Sequence, residues 1–153
     1  MKHLLSSRRG FTLIELLLVI GIIAILASIV IVAINPTKQL GDARNAQRRS
    51  DVNTILNAAY QYAIDNSGTL PGNIPTGTAK EICITSVTGV TCTNASKVDL
   101  ATDLVGTYLV GIPQDPQSAS GASTEYTIVQ DDNGRVTVAA PAAEQEATIS
   151  VTR

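Results

Sequence analysis

The sequence has few of the residues on which catalysis usually depends. Its only histidine, His3, lies close to the N-terminus, and tryptophan is absent. The chain also lacks a G-x-S-x-G nucleophile motif and a glycine-rich loop that could hold a phosphate. Candidates for nucleophile, base and electrophile therefore converge nowhere, and we predict no catalytic residues, no cofactor and no enzymatic activity.

Cysteine is almost as scarce, with only Cys83 and Cys92 in the chain. Their spacing matches neither a redox C-x-x-C motif nor a zinc site, which would need further ligands, so we predict no metal site here. We predict that the two cysteines form a disulfide, which needs an oxidising compartment; a pair of free thiols is the alternative. On the chain-entropy model such a disulfide would stabilise the fold by roughly 2.5–3 kcal/mol.

Positive charge is scarce outside the first ten residues. Three of the 11 Lys and Arg residues precede Phe11, so 8 remain against 13 Asp and Glu residues. The segment 67–153 is clearly acidic. A soluble nucleic-acid-binding protein would have the opposite balance.

What the chain does have is a long apolar run. From Phe11 to Ile34 there are 24 residues with Glu15 as the only charge. At ~1.5 Å per residue, a helix of that length is about 36 Å long and can cross a hydrocarbon core of ~30 Å. The basic residues precede this run, so the positive-inside rule places residues 1–10 in the cytoplasm and the rest across the membrane.

The start of the run carries a specific motif. The segment Arg8-Arg9-Gly10-Phe11-Thr12-Leu13-Ile14-Glu15 resembles the class III signal of type IV prepilins and of the related pseudopilins of type II secretion. The resemblance implies that a prepilin peptidase cuts after Gly10, that Phe11 is then methylated, and that Glu15 acts in assembly. It also implies a homopolymer joined through the N-terminal helices, with an assembly platform protein and an ATPase as partners.

Glu15 has a second interpretation that is local to the helix. Thr12 and Glu15 fit the S/T-x-x-E capping box, with Thr12 as the N-cap. The free energy of placing a charge in a membrane helix supports a functional role. On insertion scales it is roughly 2.5–3.5 kcal/mol at the helix centre and less near an end, so such a charge is kept for a reason. Both roles can hold together, with Glu15 capping its own helix and pairing with the Phe11 ammonium of a neighbour.

Small residues form a stripe along the apolar run. Gly21, Ala24 and Ser28 share one helical face, the pattern that allows helices to approach closely in lipid. Chance is the alternative, since these residue types are common in membrane helices.

A break and an amphipathic helix follow. Pro36 cannot donate to the Val32 carbonyl, so we predict a kink or a locally melted turn there, with Gly41 as a second weak point. Between 35 and 66 an amphipathic helix is predicted, which ends at Asn66-Ser67-Gly68. Its predicted buried positions are Val52, Ile55, Leu56, Ala59, Tyr62 and Ala63.

Three arginines precede that apolar face. Arg44, Arg48 and Arg49 are interpreted as a solvated face near the lipid headgroups, with Arg48 and Asp51 spaced for an i, i+3 pair. The alternative is a phosphate-binding role, for DNA or lipid, which nothing else in the sequence supports.

The segment 67–153 is predicted to be a globular head. Strand-like pieces around Lys80–Thr85 and a short helix capped by Asp99 precede a β region in which 126–130 and 135–139 flank Asn133-Gly134, a strong hairpin signal. Asp131, Asp132 and Asn133 could contribute to a calcium site, but the EF-hand spacing is absent and the turn explains them. We predict an α+β fold: a long N-terminal helix packed on a small antiparallel sheet, as in pilin-like proteins.

The organisation expected is a leader (1–10), a transmembrane and filament-core helix (11–34), an amphipathic helix (35–66) and a head (67–153). The function expected is that of a structural subunit of a type IV pilus-like filament, in the membrane first and then outside the cell or in the periplasm. The alternatives are a pseudopilin of a type II secretion system and a membrane-anchored binding protein that does not polymerise. The five Phe and Tyr residues give no support to an electron-conducting fibre.

Overall fold

The computed structural model of the chain describes residues 10–72, 74–84, 92, 96–117 and 119–153. It divides into two compact units, with the boundary between Gln39 and Leu40. The basic leader residues 1–9 lie outside the described part. Each unit has its own organisation.

The first unit is dominated by one apolar helix, α1 (Leu13–Ile34). Its mean hydropathy of 3.3 and its 22 residues make it long and apolar enough to cross a membrane. None of its residues is buried within the chain. A helix that is apolar on all sides is stable only where lipid or other protein surrounds it.

The helix break lies at Asn35, one residue before the predicted position. Asn35 adopts a left-handed conformation (φ 45°) and ends α1. Helix α2 (Pro36–Asp65) then starts with Pro36 at its first position, where a missing N–H does no harm. The carbonyl of Asn35 accepts the N–H of Lys38 at 3.1 Å, and its side-chain Oδ1 accepts the Thr37 hydroxyl at 2.7 Å. The expected break is therefore confined to Asn35, which ends α1 and caps α2.

Helix α2 buries the face that the sequence predicts. Val52, Ile55, Leu56, Ala59 and Ala63 are all buried, while Tyr62 is half-buried. The helix ends as a Schellman motif, in which the Gly68 N–H donates to the Ala63 carbonyl at 2.7 Å. Both Ser67 (φ 56°) and Gly68 (φ 89°) are left-handed at this end of the helix.

Helix α2 is continuous at Gly41, the second position at which the sequence suggests a weak point. The glycine is buried. A Cβ placed there would collide with the side chain of Gln145 and stand 3.4 Å from Glu144 Oε2. The glycine lets the segment around Glu144 approach the helix backbone closely.

The head contains a five-stranded sheet with one short helix. The elements in chain order are β1 (Lys80–Cys83), β2 (Lys97–Asp99), α3 (Ala101–Leu104), β3 (Ser123–Gln130), β4 (Val136–Ala139) and β5 (Ser150–Thr152). The spatial order is β2-β1-β3-β4-β5. The α+β fold is confirmed, but the sheet is mixed: β1 and β2 are parallel, and the other pairs are antiparallel.

The predicted hairpin joins β3 to β4, with a different turn. The Asp131 N–H donates to the Arg135 carbonyl at 2.8 Å, and the Gly134 N–H donates to the Asp131 carbonyl at 3.0 Å. Gly134 is left-handed (φ 83°). This is a three-residue loop with glycine at the bulge position, instead of a two-residue Asn-Gly turn.

One apolar core lies between α2 and the sheet. It joins Ile55 and Leu56 of α2 to Ile82, Tyr126 and Val138 of the strands. The hydroxyl of Thr124, also fully buried, donates to the Ile82 carbonyl.

The end of β1 is tied by the predicted disulfide between Cys83 and Cys92, whose Cα atoms are 6.1 Å apart. That separation lies within the usual disulfide range. The sequence around Cys92 also suggests a short strand-like or irregular piece at 91–93, of which only Cys92 belongs to the described residues. The short helix expected from Asp99 is α3, and Asp99 Oδ1 accepts the Ala101 N–H at 2.8 Å.

Candidate functional site

The motif at the start of α1 is open to its surroundings. Phe11 is 85% exposed, and a Cβ at Gly10 would meet no atom within 4 Å. The fold itself therefore places no steric demand for glycine at position 10.

Thr12 and Glu15 form the predicted capping box. Glu15 Oε2 accepts the Thr12 N–H at 2.8 Å and the Thr12 hydroxyl at 2.7 Å, while the Glu15 N–H donates to Thr12 Oγ1 at 3.3 Å. This reciprocal arrangement satisfies backbone donors that a helix start otherwise leaves unpaired. The contacts of Oε2 are all to neutral groups, so capping leaves the charge of Glu15 without a counter-charge among them.

The small-residue stripe of α1 is equally open. A Cβ at Gly21 would meet nothing within 4 Å, and Ala24 is exposed. The Ser28 hydroxyl donates to the Ile25 carbonyl at 2.8 Å, which satisfies it within its own helix. Ser28 can therefore lie in lipid or against another helix without an unpaired donor, and the packing role of the stripe stays a prediction.

A buried ionic cluster that was not predicted above lies between α2 and the head. Arg48 is fully buried, and its guanidinium donates to both oxygens of Asp115, from Nε at 2.6 Å and from Nη2 at 3.1 Å. Nη1 donates to Glu144 at 2.8 Å and to Asn45 at 2.9 Å. The prediction that Arg48 lies on a solvated face is wrong, because residues distant in sequence enclose it.

The same cluster fastens the segment around Glu144 to α2. Arg44 forms a bidentate pair with Glu144, at 2.6 and 2.5 Å. Asn45 receives the Glu144 N–H at 3.0 Å and donates to the Glu144 carbonyl at 2.8 Å. Arg44 and Arg48 therefore pair with carboxylates of the chain itself, and this argues against the alternative that they bind phosphate. Arg49, in contrast, is exposed.

Asp51 belongs to the buried polar layer as well, but not as the expected partner of Arg48. It accepts the Tyr126 hydroxyl at 2.8 Å and the Gln47 amide at 2.7 Å. Burial, together with the hydrogen bond to Asp51, raises the pKa of Tyr126. Tyr126 therefore acts as a hydrogen-bond donor that links α2 to β3.

The arginines also set the ionisation of Glu144. The hydrogen bond from Arg44, followed by that from Arg48, lowers the pKa of Glu144 from 4.5 to about 2. In turn, the bond to Asp115 and the weaker effect of Glu144 raise the pKa of Arg48. Glu144 and Arg48 are therefore both ionised throughout the physiological range.

Replacing Glu144 with glutamine is expected to reduce the acid sensitivity of the head. Because the pKa of Glu144 is lower in the folded state, its stabilising contribution is complete above about pH 4.5 and is lost as the pH falls towards 2. Thermal unfolding of the full chain in detergent at a series of pH values measures this. Exposed Glu146 provides the matched control, Glu146→Gln. Equal slopes below pH 4.5 for wild type and Glu144→Gln would contradict the assignment.

A signal for the cluster was present in the sequence. Gly41, Asn45 and Arg48 continue, at spacings of four and three residues, the same stripe that carries Val52 and Ile55. Extending the apolar periodicity towards the N-terminus would have placed Arg48 on the buried face. Its carboxylate partners could not have been identified in this way.

The acidic turn considered for calcium is accounted for by its own contacts. Asp131 Oδ1 accepts the N–H groups of Asn133 and Arg135 at 2.9 and 2.8 Å, and Oδ2 accepts Arg135 Nε at 2.8 Å. Within the residues that the structure describes, no group of three or more His, Cys, Asp or Glu side chains is placed to hold a metal ion.

One open cleft in the head has a volume of about 430 Å³. Among the described residues its lining is mainly apolar, with Thr102 as the only polar side chain; the others are Ile84, Ala101, Val105, Val110 and Ile112, beside Gly111.

A comparison with known protein families finds a match at the N-terminal end of the chain. The model of the prokaryotic N-terminal methylation motif matches residues 5–31, which cover the processing motif and most of α1. This motif, together with a long apolar helix followed by a small mixed sheet, makes the chain similar to type IV pilin-like proteins.

One curated relative is the type II secretion system core protein G of Escherichia coli (strain K12). It is 41% identical over 61 residues, which are 40% of this chain and 41% of that protein. The matched part thus spans about two fifths of the relative's length. No solved structure matches the chain significantly. These likenesses point to a structural subunit rather than an enzyme.

Proposed function

We propose that the protein is a structural subunit of a type IV pilus-like filament, made as a precursor whose leader (1–10) is removed. The observation that carries this proposal is α1, a helix of 22 residues without one buried side chain. In this proposal, residues 11–34 lie in the membrane before assembly and in the filament core afterwards. Residues 35–66 connect this helix to the head, 67–153.

The chemistry of the first turn supports polymerisation. Glu15 caps α1 through Oε2 only, with neutral Thr12 groups. In apolar surroundings a carboxylate needs a counter-charge. Removal of the leader creates an ammonium group at Phe11, and that of a neighbouring copy can supply the counter-charge. The partners proposed are copies of the same chain, a prepilin peptidase, an assembly platform protein and its ATPase.

A second candidate, a pseudopilin of a type II secretion system, is favoured by the likeness to core protein G. In that case the filament would remain in the periplasm and assist the export of other proteins. Deletion separates the two: loss of surface fibres with normal secretion supports the pilus, and loss of secretion without surface fibres supports the pseudopilus. A neighbouring gene for a retraction motor would support the pilus, and a neighbouring gene for a secretion cargo would support the pseudopilus.

Processing at Gly10 provides the test of the shared proposal. Wild-type protein from sheared filaments is expected to begin at methylated Phe11, as measured by mass spectrometry. Gly10→Val should retain the leader and yield no filaments, although the fold has room for the added atoms. Normal leader removal from Gly10→Val would contradict the assignment. A correctly processed wild type that never forms filaments would support the non-polymerising binding protein instead.

A further inference from the structure

The peptide bond between Gly10 and Phe11 lies just outside helix α1. The helix begins at Leu13, and its first backbone hydrogen bond runs from the Leu16 N–H to the Thr12 carbonyl at 3.3 Å. Within the described part of the chain, no helical hydrogen bond therefore reaches the carbonyl of Gly10 or of Phe11. The bond that joins these two residues keeps its backbone groups free of the helix.

Thr12 fixes the position of this helix start. Its backbone is extended (φ −83°, ψ 150°), and its Oγ1 accepts the Glu15 N–H at 3.3 Å. Glu15 Oε2 in turn accepts the Thr12 N–H at 2.8 Å. Both side chains thus bond backbone N–H groups at the start of the helix, and the Glu15 N–H is one that a longer helix would bond to the Phe11 carbonyl. The capping box therefore holds the start of α1 at Leu13.

Without the Thr12 side chain, the next good N-cap towards the N-terminus is Gly10. Glycine ranks with threonine at this position, whereas apolar residues rank far below both. A helix capped by Gly10 would place Phe11 at its first position. The Gly10 carbonyl would then accept the N–H of Ile14, four residues later.

Removal of the leader needs that carbonyl to be free. Hydrolysis adds water across the Gly10–Phe11 bond: the oxygen joins the Gly10 carbonyl carbon, and the Phe11 nitrogen leaves as an amine. Negative charge develops on the carbonyl oxygen during the attack, and the peptidase stabilises it with donors of its own. A carbonyl that already accepts an N–H from its own helix is less available to those donors.

We propose that Thr12 is a positioning residue for leader removal, which keeps the Gly10–Phe11 bond outside α1 so that a prepilin peptidase can act on it. This inference rests on the proposed function. It gives Thr12 a role distinct from that of the Glu15 charge. Thr12 acts before the cut, by setting where the helix starts, and the charge acts after it, in assembly.

The test compares Thr12→Val with Thr12→Ser in the full-length precursor, in detergent. Valine has the shape of threonine without an oxygen to cap the helix, whereas serine is at least as good a cap. We expect kcat/KM for cleavage of Thr12→Val by purified prepilin peptidase to be about two- to five-fold lower, since loss of an N-cap shifts the equilibrium between helix starts by about five-fold. Thr12→Ser should match wild type. So should the control Thr54→Val, which removes a hydroxyl from an exposed position of α2.

A second measurement follows the helix start itself and needs no peptidase. Phe11 is the only phenylalanine in the chain, so labelling with carbon-13 phenylalanine gives a single Cα resonance. In Thr12→Val this resonance should move towards the chemical shift of a helical residue. Wild type and Thr12→Ser should keep it at a non-helical value.

Three results would overturn the inference. Equal cleavage of Thr12→Val and wild type would show that the helix start does not control the cut. Slower cleavage of Thr12→Val with an unchanged Phe11 resonance would show that the peptidase binds the threonine hydroxyl directly. Both results leave the proposed function intact. A wild-type precursor that the peptidase does not cut would overturn the proposed function together with this inference.

Discussion

Replacing Arg48 alone with methionine is expected to destabilise the head by about 3–5 kcal/mol, because it strands a buried charge. Asp115 has no solvent-exposed side-chain surface, and Arg48 donates to both of its oxygens. The Gln117 N–H, which also donates to Asp115 Oδ1 at 2.9 Å, is neutral and cannot replace the lost counter-charge. Glu144 is affected less, since it keeps Arg44 and is partly exposed. The expected loss follows from removing one member of the buried pair and leaving the other.

Thermal unfolding of the full chain in detergent measures this loss. A drop of more than about 10 °C in melting temperature is expected for Arg48→Met. Arg49→Met, the adjacent exposed arginine, should change stability by no more than about 0.5 kcal/mol. Similar melting temperatures for the two variants would mean that Asp115 finds another partner or becomes protonated at little cost.

The features that the sequence predicted well are those determined by neighbouring residues. The capping box joins groups three residues apart, and the apolar face of α2 follows from a helical period within one segment. The hairpin depends on Asn133-Gly134 and the strands beside it. In each case the interacting groups lie within one stretch of chain, so spacing alone specifies the contact.

The features that were missed depend on distant partners. Arg48 meets Asp115 and Glu144 across 67 and 96 residues. An arginine on a polar helix is normally solvated, and nothing local to Arg48 indicates which carboxylates will cover it. The same limit applies to Gly41, whose close contact with Gln145 exists only after the chain has folded.

Two details of the backbone also differ from the sequence predictions, for a related reason. Proline at 36 indicated a break, but the left-handed conformation falls on Asn35, the residue whose side chain can also cap the next helix. The parallel pairing of β1 with β2 requires the chain to cross from Cys83 to Lys97 and return in the same direction. Short strand-like pieces carry no signal for the direction in which they pair.

The charge of Glu15 should decide assembly, and Glu15→Val is expected to abolish filaments while leaving the head intact. Valine removes the only charge between Phe11 and Ile34, so insertion of α1 should become easier by a kcal/mol or so, roughly the insertion-scale cost discounted for a position near the end. The variant also loses the anion proposed to pair with the Phe11 ammonium of a neighbour. Leaving that ammonium without a partner in a buried site costs roughly 3–5 kcal/mol.

Glu15→Gln separates the charge from the cap. Glutamine can still accept from the Thr12 N–H, as glutamate does at 2.8 Å, so the capping box survives without a charge. If the cap alone matters, Glu15→Gln should form filaments, and Glu15→Val should lose only about 1 kcal/mol from a frayed first turn. If the ion pair matters, both variants should be processed, reach the membrane at wild-type levels and form no filaments.

The measurement expresses each variant as the only copy and follows leader removal, membrane level and sheared filaments together. Head stability, followed by thermal unfolding, should be the same in all three proteins, since Glu15 lies in a separate unit from the head. Wild-type filament yield from Glu15→Gln would leave Glu15 as a helix cap and remove the ion pair from the mechanism of assembly. Failure of both variants with normal processing would instead locate the defect at the step where α1 leaves lipid for the filament core, since only there does the uncompensated Phe11 ammonium become buried.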